Sequence, residues 1–413
     1  MATIGILVGG GPAPGINGVI GAAAILGRRH GARVVGILEG FRWLMEGRSD
    51  HVVDLHIGTV SRIHLLGGSI LRTSRANPTR DPEDLRRTVQ TLREIGVDHL
   101  VTIGGDDTCS SAMRVAEAAG DALRVAHVPK TIDNDLPLPE GTPTFGFETA
   151  RETGTQVLNH LMEDARTTGR WYVAVMMGRT AGHLTLGAAK AAGATLAIVA
   201  EEFPEGPIRL ADIERTIEAA IAKRLVLGRP YGVAVVAEGI GERLHPDDLA
   251  RLPDLPRDEH GHPRLAELPL GRLLAGGVAR GLAELGIPMT LVAKDIGYEL
   301  RCVAPNAFDA EYTRDLGAGA VRALLGGTRS VMITREGNAI RPVPLGEVLD
   351  PSSGRARVRM LDTDSPSYAL ARWLQVRLEP EDLDDPELAA LLTRATGLEL
   401  EDLRGRWSHL EKH

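Results

Sequence analysis

Aromatic residues are scarce in this chain: Trp, Tyr and Phe together make up 3% of it. Surfaces that recognise proteins or RNA lean on aromatics, so the shortage argues against both uses. Cysteine is scarcer still. Cys109 and Cys302 are the only two, too few for a disulfide framework and in keeping with a reducing compartment. No stretch approaches the roughly 18 uninterrupted apolar residues that span a bilayer, and the N-terminal MATIGILVGGGPAPG lacks a basic segment leading into an apolar run. The chain therefore reads as cytoplasmic, with no membrane span. Acidic residues outnumber basic ones, giving a net charge of −8. That balance disfavours nucleic acid as a partner, yet leaves room for a phosphate ligand held by local arginines.

What the chain has instead is glycine, 48 of them in 413 residues, placed where short apolar runs give way to helical ones. The length suffices for two full cores, and the alternation of strand and helix patterns predicts an α/β protein of two Rossmann-like three-layer α/β/α lobes, with the active site in the cleft between them. Ile4 to Val8 reads as a strand, Gly9 to Gly15 as a turn, and Ile16 onward as a helix to about Arg29. Glycines let backbone N–H groups approach an anion, and the helix dipole favours negative charge there. The spacing is neither that of a P-loop nor GxGxxG, so this turn alone is a weak signal.

Two further turns carry more. Leu100 to Ile103 leads into Gly104-Gly105-Asp106-Asp107-Thr108, and Val125 to Val128 leads into Pro129-Lys130-Thr131-Ile132-Asp133-Asn134-Asp135. Ligands in open α/β sheets bind at the carboxyl ends of strands. The two turns should be neighbours, gathering four aspartates, a lysine and two threonines near a helix N-terminus. Crowded carboxylates raise one another's pKa unless a cation compensates, and magnesium with a polyphosphate would do so. Either turn alone is equally an Asp-capped polar loop.

The run PKTIDND, with GGDD before it and Met177-Gly178-Arg179 after it, resembles the phosphofructokinase family in its pyrophosphate-dependent branch. ATP-using members of the family carry glycine where this chain has Asp107 and Lys130. The resemblance runs in order from about residue 2 to 345. It implies transfer of phosphate from pyrophosphate to the 1-hydroxyl of fructose 6-phosphate, reversibly and with Mg2+, in glycolysis or gluconeogenesis. By the same resemblance Asp133 is the base, Asp106 the metal ligand, and Asp135, Thr131, Lys130 and Arg179 further catalytic groups. Gly11, Arg75 and Asp107 face the donor. Arg170, Met177, Gly178, Glu238, Tyr298 and Arg301 serve the sugar phosphate, with Arg170 reaching a neighbouring subunit, which implies a homodimer or homotetramer. Val292 stands where ATP-type bacterial members add an arginine, leaving Lys294 as a substitute, and Met176 replaces a common glutamate.

The expected division is residues 1–145 plus about 302–345 for the donor, 146–301 for the sugar phosphate with an insertion at 241–268, and a C-terminal helical extension at 346–413, whose tail from about Leu378 to His413 packs as helices on the surface. Within the insertion, Asp258-Glu259-His260-Gly261-His262 reads as a solvated hairpin in preference to a metal site. Cys109 reads as a buried small residue. Alternatives to the function stay open: ATP as donor; a pyrophosphate-dependent kinase that prefers sedoheptulose 7-phosphate; a kinase of the NAD kinase or diacylglycerol kinase type, which shares the Gly-Gly-Asp turn; and a non-catalytic subunit that binds sugar phosphate.

Overall fold

The computed structural model describes residues 1–139, 141–251, 268–348 and 357–412. In chain order the strands are β1 (Thr3–Val8), β2 (Arg33–Ile37), β3 (Val52–Asp54), β4 (His99–Gly104), β5 (Arg124–Pro129), β6 (Trp171–Met176), β7 (Leu196–Ile198), β8 (Gly232–Ala237), β9 (Leu291–Ile296), β10 (Val331–Glu336) and β11 (Ala339–Pro344). By contacts the chain divides into two units, one of residues 1–150 and 298–359, the other of residues 151–297 and 360–413.

The first unit holds a seven-stranded sheet in the order β11-β10-β5-β4-β1-β2-β3. Its interior pairings are parallel, and β3 and β11 close the two edges antiparallel. Side chains of a strand point alternately to either face. Accordingly Ile4, Ile6 and Val8 join Val34, Val101, Ile103, Ala126 and Val128 on one face, packed under the helices Ile16–Arg29 and Ala307–Leu325. Leu7, Val35, Ile37, Leu100 and Val125 take the other face, under Pro82–Ile95 and Asp106–Ala119. Both faces are covered, which is why these strands read as nearly continuous apolar runs. The helix Pro82–Ile95 begins on an Asp81 carboxylate that accepts from the Glu83 amide, and it ends on Gly96 in the left-handed region.

The second unit holds a parallel sheet in the order β7-β8-β6-β9. Trp171, Val173, Val175, Ala234 and Val236 share a core with Ile213 and Ile217 of the helix Leu210–Val226 and with Leu274, Val278 and Leu282 of the helix Leu270–Glu284. Leu378, Leu392, Leu403 and Trp407 belong to the same core. The C-terminal segment forms the short helices Pro366–Trp373, Pro386–Thr396 and Leu400–Arg406. Its last helices pack on the second unit, burying Leu392, Leu403 and Trp407 with Arg406 and Trp407 both donating to Glu218, while Trp373 and Leu374 stay exposed.

Two differences from the sequence reading have physical reasons. The apolar pattern reads as a strand from Met289 to Ala293, but the strand runs Leu291–Ile296, continuing through Lys294 and Asp295. Among the described residues it is an edge strand paired only with β6, where charged side chains are tolerated and discourage pairing with other chains. The strand β11 was not anticipated because Pro342 and Pro344 interrupt its pattern; an edge position accommodates proline, which cannot donate to a ladder. Among the described residues no helix is long and apolar enough to cross a membrane.

Candidate active site

In the first unit the ends of β1, β4 and β5 stand side by side, and backbone hydrogen bonds tie their turns together. The Gly9 amide donates to the Ile103 carbonyl at 2.8 Å, and the Lys130 amide to the Gly104 carbonyl at 2.8 Å. The turns after β4 and β5 are therefore neighbours, as their chemistry suggested. The Gly10 amide donates to the Ser74 carbonyl at 2.9 Å, and the Thr73 hydroxyl donates to the Gly10 carbonyl. These two bonds lay the segment carrying Arg75, itself exposed, along the glycine turn. Thr108 explains two of the glycines: a Cβ on Gly9 would lie 2.4 Å from its Oγ1, and one on Gly104 would lie 2.3 Å from its Cβ.

Lys130 occupies the centre of this arrangement. The residue is 5% exposed, and its ammonium donates a 2.5 Å hydrogen bond to the Gly11 carbonyl. Burial, reinforced by the positive charge of Arg301, pulls its pKa down to about 8, with Asp133 opposing. Arg301 donates from Nε to the Pro12 carbonyl at 3.4 Å, and its guanidinium lies 5.6 Å from the centre of the Tyr298 ring. Tyr298 is 79% exposed. Both residues, expected with the sugar-phosphate lobe, cluster with the first unit, because Arg301 is held by the turn after β1.

The loop after β5 is a chain of side chain to backbone bonds. The Asp133 amide donates to Thr131 Oγ1 at 3.0 Å, the Thr144 hydroxyl to the Thr131 carbonyl at 2.8 Å, and the Thr144 amide to Asn134 Oδ1 at 3.0 Å. Asn134, between the two loop aspartates, has a φ of +58°. Asp133 and Asp135 are half-buried and close enough to Lys130 to act on its charge. Asp106 and Asp107 open the helix Asp106–Ala119, with Asp107 exposed.

The four aspartates do not converge on one point. Among the described residues no group of three or more His, Cys, Asp or Glu side chains is placed to hold a metal. One pair sits in the first turn of a helix and the other in a loop, so the expected crowding is relieved partly by separation and partly by Lys130. A single carboxylate such as Asp106, at a helix start beside anion-accepting amides, still fits magnesium. That ion usually takes one or two protein carboxylates and completes its shell with phosphates and water. Cys109, by contrast, is inert: burial, with Asp106 adding to it, pushes the thiol up to about 12.

In the second unit β6 ends at Met176, which is fully buried. The Met177 amide donates to the Ile296 carbonyl at 2.8 Å, and the Gly178 amide donates to Glu238 Oε2 at 3.2 Å. Met177, Gly178 and Glu238 are thus brought together at the carboxyl ends of β6 and β8, with Arg179 exposed beside them. Arg170 precedes β6, its Nε 3.8 Å from an Asp164 carboxylate oxygen. Lys294 lies exposed on β9. The Asp258 to His262 stretch lies outside the described residues.

Sequence reading missed Thr144 and Arg359. The Arg359 side chain donates to the Asn134 carbonyl at 3.0 and 3.1 Å and to the Thr142 carbonyl at 3.0 Å. No local motif marks a residue whose partners lie more than 200 positions away.

The model of the family described as phosphofructokinase matches residues 3–324. The chain belongs to the phosphofructokinase family. It is 49% identical to a pyrophosphate--fructose 6-phosphate 1-phosphotransferase of Thermotoga maritima, over 98% of each chain. It is 46% identical to a protein of the same name from Naegleria fowleri, over 99% of this chain and 95% of that one. The fold is shared with the crystal structure of a pyrophosphate-dependent phosphofructokinase from Nitrosospira multiformis at 18% identity. There the TM-score is 0.69, covering 94% of this chain and 91% of that chain.

Proposed function

We infer that this phosphofructokinase moves phosphate from pyrophosphate to the 1-hydroxyl of fructose 6-phosphate, giving fructose 1,6-bisphosphate, in a reversible step of glycolysis or gluconeogenesis. The names of the Thermotoga and Naegleria relatives support the reaction. The observation that carries the choice of donor is Lys130, a nearly buried ammonium held over the glycine turn. Uncompensated buried cations are costly, so this one favours a small, highly charged anion that reaches it. Asp107, at the first turn of its helix, adds negative charge where a nucleotide's inner phosphate would extend. A single inorganic diphosphate avoids that repulsion.

Phosphoryl transfer needs alignment and charge neutralisation more than covalent help. Asp133 accepts the proton of the sugar hydroxyl as it attacks, and Asp135 and Thr131 support it. Lys130, Arg75 and the backbone at Gly11 bind the donor, and Arg179 balances charge on the transferring group. Asp106 would hold Mg2+, which when bound neutralises charge on the phosphate oxygens. Met177, Gly178 and Glu238 take the sugar, and Tyr298 and Arg301 its 6-phosphate. Arg170 serves the site of a second copy, which makes the enzyme a homodimer or homotetramer of the cytoplasm. The test is a coupled assay with fructose 6-phosphate and Mg2+, comparing pyrophosphate with ATP. Turnover with ATP and none with pyrophosphate would overturn the donor assignment.

A further inference from the structure

We propose that Arg359 is a positioning residue for phosphoryl transfer: it locks the peptide between the two loop aspartates and so sets the direction in which Asp133 and Asp135 leave the backbone. This rests on the reading of Asp133 as the base. Arg359 lies beyond residue 324, where the family match ends.

A non-glycine residue in the left-handed region is uncommon and is sustained only where its surroundings hold it. Asn134 is such a residue, at φ +58°, and it stands between Asp133 and Asp135. Its turned backbone sends the Asn134 carbonyl to Arg359, which meets it with both Nε, at 3.1 Å, and Nη2, at 3.0 Å. Nη2 also donates to Asn134 Oδ1 at 2.5 Å. Nη1 reaches the Thr142 carbonyl at 3.0 Å, tying the loop to the segment that leads to Thr144. From its own backbone, the Arg359 amide donates to the Asp135 carbonyl at 2.7 Å. One residue thus holds the carbonyls of two successive loop residues. Lysine, a point donor, can satisfy one of these acceptors but not the fork.

A displacement of about 1 Å in a reacting group can cost about 10²-fold in rate, which sets the expected scale. Arg359→Ala, Arg359→Gln and Arg359→Lys are to be purified with Asp133→Ala alongside. Steady-state rates with pyrophosphate and fructose 6-phosphate are measured together with amide exchange over residues 130–136. Arg359→Ala should lower kcat by about 10²-fold with both KM values within about threefold, because Arg359 holds the peptides on either side of the aspartates and not Lys130, which binds the donor. Exchange should quicken in residues 130–136 and not in β4. Guanidinium ion at sub-denaturing concentration should restore at least about tenfold of kcat, and Arg359→Lys should fall between wild type and Arg359→Ala. An unchanged kcat with only a lower melting temperature, or a raised KM with kcat intact, would overturn the proposal. So would failure of all three variants to fold, since Arg359 would then be structural. If Asp133→Ala keeps its turnover while exchange in the loop still quickens on Arg359→Ala, the assignment of the base fails and the loop-locking role of Arg359 stands.

Discussion

The Lys130 ammonium donates to the Gly11 carbonyl, joining the turn after β5 to the turn after β1. The bond places a full positive charge beside backbone that would otherwise meet a phosphate through N–H groups alone. It also explains why a lysine is tolerated at 5% exposure, since a buried ammonium needs acceptors.

Removing that charge should therefore cost donor use and not the fold. Lys130→Met is expected to lower kcat/KM for pyrophosphate by about 10²-fold or more, the scale seen when one preorganised donor is lost from a transition-state site, with a smaller effect on the KM for the sugar phosphate. Unaltered pyrophosphate kinetics in this variant would refute the role of Lys130.

The pH dependence follows from the same burial. Lys130 titrates at about 8, well below its ordinary value. In the free enzyme the ammonium is present below that pH and lost above it, so kcat/KM for pyrophosphate should fall as pH rises through about 8, and this limb should vanish in Lys130→Met. Stability moves the other way. Between about 8 and the ordinary lysine value of 10.5 the unfolded chain holds the proton that the folded one has released, so this group makes stability rise with pH across that window. Denaturant midpoints taken from pH 7 to 10 check the sign against Lys130→Met, which should lack the rise.

Donor selectivity is a separate matter and turns on Asp107. A unit charge about 4 Å from a phosphate oxygen is worth about 1 kcal/mol in bulk water and about 4 at the effective dielectric of a protein surface. Asp107 is exposed, so the lower figure governs. Asp107→Gly should shift the ratio of kcat/KM values from pyrophosphate toward ATP by about fivefold, given that 1.4 kcal/mol corresponds to tenfold. A ratio unmoved within error would show that the carboxylate does not discriminate.

Strand ends and glycine turns were legible because they are local. The apolar runs announce β1, β4 and β5, and the glycine exits of β1 and β4 and the PKTIDND exit of β5 mark the turns that the structure brings together. Contacts between distant residues were not. Thr108 sits one turn into a helix and looked like one more polar residue of the GGDDT turn, yet it is the reason neither Gly9 nor Gly104 carries a side chain. Arg359 and Thr144 define the shape of the aspartate loop through backbone carbonyls, which no side-chain pattern reveals. Glu218, in the helix Leu210–Val226, accepts from both Arg406 and Trp407 and draws in a distant C-terminal segment, a partnership that no local pattern marks.

The packing at Thr108 gives a stability test free of kinetics. Gly104→Ala would set a Cβ 2.3 Å from that of Thr108, and overpacking of this kind costs about 1–3 kcal/mol. Because the clash is with the Cβ and Oγ1 of one side chain, Gly104→Ala combined with Thr108→Gly should cost less than the sum of the two single changes, since glycine removes both atoms. Additive penalties in a denaturant-based double-mutant cycle would place the strain elsewhere.

The C-terminal segment offers the last test. Trp407 is 2% exposed, and its indole N–H donates to Glu218 Oε1 at 3.0 Å, while Arg406 binds both Glu218 oxygens at 2.6 and 2.8 Å. Glu218 is itself 2% exposed, so its charge depends on these partners, and deleting one partner of a buried ion pair typically costs about 3–5 kcal/mol. Arg406 is partly exposed, its side chain at 21%, which lowers that figure for its removal. Truncating the indole adds a cavity among Leu392, Leu403 and the helix Leu210–Val226. Trp407→Ala should accordingly destabilise by about 3–5 kcal/mol, and Arg406→Met by less. Neither residue is among those assigned a catalytic or binding role, so below the melting transition kcat should stay near wild type in both variants. A Trp407→Ala protein as stable as the parent would mean that the segment after residue 378 does not belong to the core of the second unit.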